Sequence, residues 1–295
     1  MTIKIDAASF KQIFPHAPQE VIDAFASKQG ALDAAGVTHT RTRLTDFLAN
    51  IDHECGGFAL KGLTENINYT AARMAEVWPN RFKNAAAVVA KYGSAPGWQK
   101  RAFDDIYGNR MGNRPGTHDG STYIGRGGPQ WTGRDGYAAL AQRTGLPAVE
   151  TPDVATDLDK QPEVCAAFWA WKNLNPKADV GDFTGLVKSW NGGTNGLAER
   201  KANAARIAPI VARMEGSPPT ATPPADVYAA ATRKERAGVA AAAAATVTTS
   251  VGATSPQPAL PKVASVVGIG FGIVAMVAAI ALIARKKQAV LANWL

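Results

Sequence analysis

Leu44-Thr45-Asp46-Phe47-Leu48-Ala49-Asn50-Ile51-Asp52-His53-Glu54-Cys55-Gly56-Gly57-Phe58 sets Leu44, Phe47, Leu48, Ile51 and Cys55 at the i, i+3, i+4, i+7, i+11 spacing of one helical face. The Gly56-Gly57 pair predicts where that helix stops, because glycine takes the left-handed cap conformation without a Cβ clash. Glu54 then falls in the final turn. It meets the negative end of the helix dipole there, and burial beside Ile51 and Phe58 adds desolvation; both favour a carboxyl that keeps its proton.

Eleven residues on, Glu65 lies in Leu63-Thr64-Glu65-Asn66-Ile67-Asn68-Tyr69-Thr70, among amides and hydroxyls, and is expected to stay ionised. Two carboxyls held in different protonation states are what glycoside hydrolysis requires. Spacing alone is a weak signal, because 24 acidic residues form many such pairs and most are solvated.

Moving outward, 295 residues with 46% hydrophobic content support a packed core and exclude wholesale disorder. The net charge of +8 and pI of about 9.5 point to an anionic partner such as a cell wall, a membrane surface or nucleic acid. That charge is uneven. From Pro218 onward there are seven basic and two acidic residues, which leaves 25 basic and 22 acidic in residues 1–217. Cys55 and Cys165 allow one disulfide or two buried thiols, and no CxxC or HExxH pattern suggests a metal.

Residues 218–262 hold seven of the 18 prolines and the alanine run Ala240 to Ala245, with few large apolar side chains; they read as a disordered linker. Val263 to Ala284 is uncharged, and its 22 residues, bounded by Lys262 and Arg285-Lys286-Lys287, read as a single transmembrane helix followed by a basic tail, 285–295. A helix of this length spans roughly 33 Å against about 30 Å of hydrocarbon. Gly268 and Gly272 have the spacing that lets two such helices pair as a dimer. The basic clamp after the span places the C-terminus in the cytoplasm and residues 1–262 outside, in a periplasm, extracytoplasmic space or virion membrane. Met1 to Phe10 lacks the apolar core of a signal peptide.

Residues 1–217 read as mainly α-helical. His53-Glu54-Cys55-Gly56-Gly57-Phe58, Glu65-Asn66-Ile67-Asn68-Tyr69-Thr70, Tyr107-Gly108-Asn109-Arg110, Tyr123-Ile124-Gly125-Arg126-Gly127-Gly128-Pro129-Gln130-Trp131-Thr132-Gly133-Arg134 and Trp190-Asn191-Gly192-Gly193-Thr194-Asn195-Gly196 together resemble glycoside hydrolase family 19. The resemblance runs over roughly residues 8–212 and is nearest to compact bacterial and phage members of the chitinase and endolysin type. It implies a bilobal, lysozyme-like fold and an inverting mechanism, with Glu54 as general acid and Glu65 as general base. It further implies that Thr132 holds the attacking water, that Gln130 and Asn191 contact sugar, and that Arg200 helps hold the base. Tyr123 and Trp131 read equally as core aromatics or as lining of the sugar cleft. His53 reads as a packed support for Glu54, Arg126 as a structural ion pair, and Gly125, Gly127, Gly192 and Gly193 as turn residues.

The sequence departs from the family's pattern at Cys55, where relatives usually carry Ser or Thr, and at Gly136, where they often carry Asn. Ile124 and Trp131 replace the commoner Arg and Leu. The expected substrate is cell-wall peptidoglycan, with chitin as the alternative, since both present β-1,4-linked N-acetylhexosamines. A non-catalytic, membrane-anchored wall-binding protein is the reading of another class. No cofactor and no nucleic-acid partner is expected, because two carboxyls complete the hydrolysis and no helix-turn-helix or zinc pattern accompanies the basic residues.

Overall fold

A computed structural model describes residues 2–216. The linker 218–262, the span 263–284 and the tail 285–295 lie outside the described residues; among the described ones, no helix is long and apolar enough to cross a membrane.

In chain order the helices are α1 Ala7–Ile13, α2 Gln19–Ser27, α3 Gly30–Ala34, α4 Arg41–Cys55, α5 Ala71–Val77, α6 Ala85–Tyr92, α7 Trp98–Tyr107, α8 Asp119–Thr122, α9 Arg134–Thr144, α10 Gln161–Trp171, α11 Asn175–Asp179, α12 Phe183–Asn191 and α13 Leu197–Val211. The expected helix is α4. Thr40 opens it by accepting the Arg43 N–H, and Gly56 closes it in the left-handed conformation at φ 61°. Its apolar face is buried as the periodicity requires, but so are Asp46, Asn50, His53 and Glu54. A helix sheathed on all sides must find internal partners for its polar residues. α13 supplies one wall of that sheath, packing along α4 more extensively than any other helix.

Two separate apolar cores match the expected two lobes. The larger joins α1 to α4 with α9 to α13, and at its centre the rings of Phe10, Phe14, Phe25 and Phe58 contact one another. The smaller gathers Met74, Trp78, Phe82, Trp98, Phe103 and Tyr107 from α5 to α7 and the turn after α5. Each buried ring contributes about 1.5–3 kcal/mol, so both lobes have cores able to hold shape. The chain start joins the larger lobe: Ile3 and Ile5 are buried, and the Lys4 N–H donates to Glu215 O across 2.8 Å.

Between the lobes runs a short ribbon of three extended segments joined by two isolated antiparallel bridges. Glu65 N donates to Gly125 O (2.8 Å) and Gly127 N to Leu63 O (2.9 Å), while Arg126 and Trp131 exchange backbone bonds of 3.0 and 2.8 Å. Ile124 belongs to the small core, and Tyr123 and Trp131 to the large one, so this ribbon is the seam of the molecule.

Candidate active site

Glu54, Gln130, Thr132 and Asn191 line one open cavity of about 380 Å³. Met111, Asp135, Phe168, Trp171, Lys172 and Trp190 also wall it, and of these only Trp190 stood in one of the motifs. Glu54 is 9% exposed, at the end of α4. Its Oε1 accepts Nη2 of the fully buried Arg200 at 2.5 Å, while Arg200 Nη1 donates to Asn50 Oδ1 (2.6 Å) and Nε to Asn195 O (3.3 Å). Asn50 and Glu54 are one turn apart on α4, and Arg200 comes from the first turn of α13, so helix packing aims its fork at both. This corrects the expected role of Arg200: it holds Glu54, the expected acid, and not Glu65.

His53, expected as a support for Glu54, is buried and packs against α13. Gly196 has φ 66°, and a Cβ there would come within 2.1 Å of His53 Cε1. The ring therefore lies flush against the start of α13, with Nδ1 at 3.2 Å from Glu199 Oε2.

Glu65 sits half-buried on the ribbon, and its Oε2 accepts the Gly125 N–H at 3.1 Å. Burial pushes its carboxyl above the ordinary glutamate range, opposed by the Gly125 N–H and by the nearby Arg126 guanidinium. This shift runs against the expectation that Glu65 stays ionised, and its reason is local. Thr64 Oγ1 donates to Gly62 O and Asn66 Oδ1 accepts the Asn68 N–H, so the polar neighbours serve their own backbone instead of Glu65.

The ribbon's register explains why these residues belong together. Thr64 lies opposite Arg126, and Arg126 opposite Trp131. One step along each strand brings Glu65, Gly125 and Thr132 into a single row, and side chains in one row share a face. The middle member has no side chain. With neighbouring extended segments about 4.8 Å apart, Glu65 and Thr132 lie roughly 10 Å from each other at the backbone, one on each side of Gly125. Gly125 was expected as a turn glycine, but it is an extended position whose missing Cβ leaves room for its neighbours' side chains: a Cβ would stand 2.7 Å from Gln130 Oε1 and 3.5 Å from Glu65 Oε2. Thr132 Oγ1 donates to Gln130 O at 3.0 Å, which leaves the hydroxyl's lone pairs to accept a hydrogen bond from a water.

Gln130 takes a left-handed φ of 59°, a strain of about 1 kcal/mol or more. It is held by Nε2, which donates to Gly127 O at 2.8 Å. Asn191 ends α12, and its Oδ1 accepts the Gly193 N–H at 2.9 Å. Arg126 is largely buried and pairs with Asp153 (2.8 Å), but Asp153 is exposed; Thr122 O and the Tyr137 hydroxyl complete its shell.

Tyr123 and Trp131 resolve to the core reading, which corrects their place among the sugar contacts. Tyr123 Oη donates to Val149 O and accepts from Arg134 Nη1. Trp131 is fully buried, with Nε1 donating to Val164 O at 3.0 Å. Strand alternation dictates this, since Thr132 faces the cavity and its neighbour must face away. Trp171 carries the aromatic surface instead, stacked on Trp131 with centroids 5.1 Å apart. In Phe168-Trp169-Ala170-Trp171-Lys172 it reads as one more apolar helix residue, and only the end of α10 at the cavity exposes it.

The departures at Cys55 and Gly136 also acquire a physical account. Cys55 Sγ donates to Ile51 O (3.3 Å) and accepts the Phe58 N–H (3.2 Å), the two contacts a hydroxyl would make there. Cys55 and Cys165 are both free, buried thiols, and burial pushes both above the usual thiol range. Gly136 lies on the cavity wall, where a Cβ would meet Trp131 at 3.6 Å and Trp171 at 3.8 Å; its small size leaves room beside Trp171. Among the described residues no cluster of His, Cys, Asp and Glu could hold a metal ion.

No family model matches the chain. Among solved structures it is similar to chitinase C from Streptomyces griseus HUT6037, at 20% identity and a TM-score of 0.46 over 75% of this chain and 98% of that one. It is also similar to a bacterial family 19 chitinase, at 20% identity and a TM-score of 0.44 over 74% and 98%. A glycosyl hydrolase family 19 domain-containing protein of Haemophilus influenzae is 34% identical over 201 residues, spanning 68% of this chain and 94% of that protein. With its mainly helical two-lobed architecture and motifs in family order, the chain belongs to glycosyl hydrolase family 19 and is a glycosidase.

Proposed function

We propose that this glycosidase cleaves β-1,4 bonds between N-acetylhexosamines of cell-wall peptidoglycan by single displacement, with inversion at the anomeric carbon. The observation that carries the reading is that Glu54 and Thr132 line one sugar-sized cavity, while Glu65 shares the Thr132 ribbon row across Gly125. Glu54 protonates the leaving oxygen. With Oε1 occupied by Arg200, the transferred proton rides on Oε2. Glu65 takes a proton from the water that Thr132 orients, and Gln130 and Asn191 bind sugar at the cavity wall. A membrane span at residues 263–284, as the sequence reads there, would hold the enzyme beside the wall, and this favours peptidoglycan over chitin. Digestion of purified peptidoglycan and of chitin oligomers, followed by mass spectrometry and proton NMR of the first product, tests this. The expected result is disaccharide-repeat fragments that appear first as the α-anomer. Release of the β-anomer would reject inversion, and no cleavage of either polymer would reject the wall-hydrolase reading.

The raised Glu65 carboxyl sets a pH dependence. As a base it works only when ionised, so the acidic limb of kcat/KM is expected above the ordinary glutamate range of about 4.3. Stability runs the other way. A group whose folded pKa is raised stabilises the fold fully below its unfolded pKa, and that contribution is lost as pH rises through the folded value. Glu65→Gln should therefore be inactive yet at least as stable as wild type at neutral pH. A melting temperature below wild type at pH 7 would contradict burial as the cause of the shift.

A further inference from the structure

Lys172 is the one basic residue on the cavity that Glu54 lines, and it follows the last turn of α10. Its side chain does not turn back to the helix carbonyls. Nζ stands 4.1 Å from the centroid of Trp171 and 5.5 Å from that of Phe168. The other face of Trp171 is stacked on the buried Trp131, and two rings with centroids 5.1 Å apart leave no room for an ammonium between them. Lys172 therefore covers Trp171 on the cavity side. Among the described residues no carboxylate lies within ion-pair distance of it. Two carboxylates share the wall: Glu54 is held by Arg200, and Asp135 lies against Gly112, where a Cβ would touch its Oδ1.

A second, independent feature sits on the same wall. Trp190 is 3% exposed, and its Nε1–H has no hydrogen-bond partner. Its ring contacts Phe168 at 4.8 Å, the same ring that Lys172 flanks. A positive charge without a counter-ion and an unpaired buried donor thus border one cavity, and a chain of neutral sugars would leave the charge unanswered. Partial burial strips water from the Lys172 ammonium, which also pulls its pKa below the usual lysine range. A cation set over aromatic rings at a half-dry wall binds an anion more strongly than one free in water.

We infer that Lys172, with Trp190 beside it, reads a carboxylate carried on a substituent of the hexosamine chain, and that it makes the cleft prefer an acidic polymer to a neutral one. This rests on the wall-hydrolase reading and sharpens it. Two sources offer that chemistry, the lactyl ether of N-acetylmuramic acid and the free carboxylates of an attached peptide stem.

The test compares the full-length wild type with Lys172→Met, which keeps the length and apolar stem of the side chain. The substrates are four β-1,4 oligomers of equal length: alternating N-acetylglucosamine and N-acetylmuramic acid with free lactyl carboxylates, the same with lactyl methyl esters, the same bearing peptide stems, and an all-N-acetylglucosamine chain. On a carboxylate-bearing oligomer, Lys172→Met should lower kcat/KM about 10- to 100-fold, mainly through KM. Its loss on the ester and on the neutral chain should be at least ten-fold smaller. A loss largest on the free lactyl oligomer supports the inference with the lactyl group as the source, and one largest on the stem-bearing oligomer supports it with the stem. Equal losses on acidic and neutral oligomers, or a wild type that prefers the neutral chain, overturn the role of Lys172 while leaving the glycosidase reading intact. A wild type that cuts none of the four overturns both.

Discussion

Glu54→Gln is expected to lower hydrolysis of a natural oligosaccharide by about 100- to 10,000-fold, the usual range for removing a general acid. The same variant should keep most of its activity on an aryl glycoside with a nitrophenolate leaving group, which departs without a proton. Glu65→Ala should show the complementary pattern: little activity on either substrate, and partial recovery with azide, which needs no base to attack. The comparison matters because the ground-state electrostatics do not announce the roles. Glu54 carries a guanidinium on Oε1, while burial lifts Glu65 above the ordinary carboxylate range. If azide rescued the Glu54 variant and the aryl substrate rescued the Glu65 variant, the two roles would be exchanged.

Replacing Arg200 with Met should produce the largest loss of stability of any single change at the site. Arg200 is wholly buried and serves Glu54, Asn50 and Asn195 together, so its loss leaves a buried carboxylate without its cation and an amide oxygen without its donor. Breaking a buried pair in this way costs about 3–5 kcal/mol. For a domain of this size that lowers Tm on the order of 10 °C, readable by calorimetry or circular dichroism. Arg200→Lys should recover only part of the loss, because a single ammonium cannot reach both α4 partners in the geometry of the fork. The double variant Glu54→Gln, Arg200→Met should be less destabilised than the sum of the two single changes, since removing both charges leaves neither one buried alone. Additive losses would show that the pair is not coupled. Glu54→Gln also leaves Arg200 without a counter-charge, so its activity is to be compared at equal folded fraction.

Most of the elements that carry the chemistry were legible in the chain. The α4 periodicity and the Gly56 cap are local properties, and they placed Glu54 at a helix end beside Cys55 as the structure has it. The five motifs identified the family and put Glu54, Gln130, Thr132 and Asn191 forward, and these four meet on one cavity. The strand alternation that sends Thr132 to the cavity and Trp131 to the core was also written in the sequence, but only as a choice between two faces. Deciding it required knowing which face the second lobe covers.

Arg200, Glu65 and Lys172 mark where sequence reading stops. Each belongs to a contact between segments far apart in the chain, and neither spacing nor composition encodes which distant group arrives. Arg200 meets Glu54 because α13 lies along α4, 146 residues away. Glu65 is pushed above the ordinary carboxylate range because it is partly buried while its polar neighbours turn to their own backbone. Lys172 becomes a cavity cation only because Trp171 folds back onto Trp131. Local periodicity, caps and motifs determined the α4 helix, the family and the candidate carboxyls of this protein. Which charges face one another, and which remain unanswered on the cleft wall, depended on long-range packing, because burial and Coulomb interactions arise between groups that only the folded chain brings within a few ångströms.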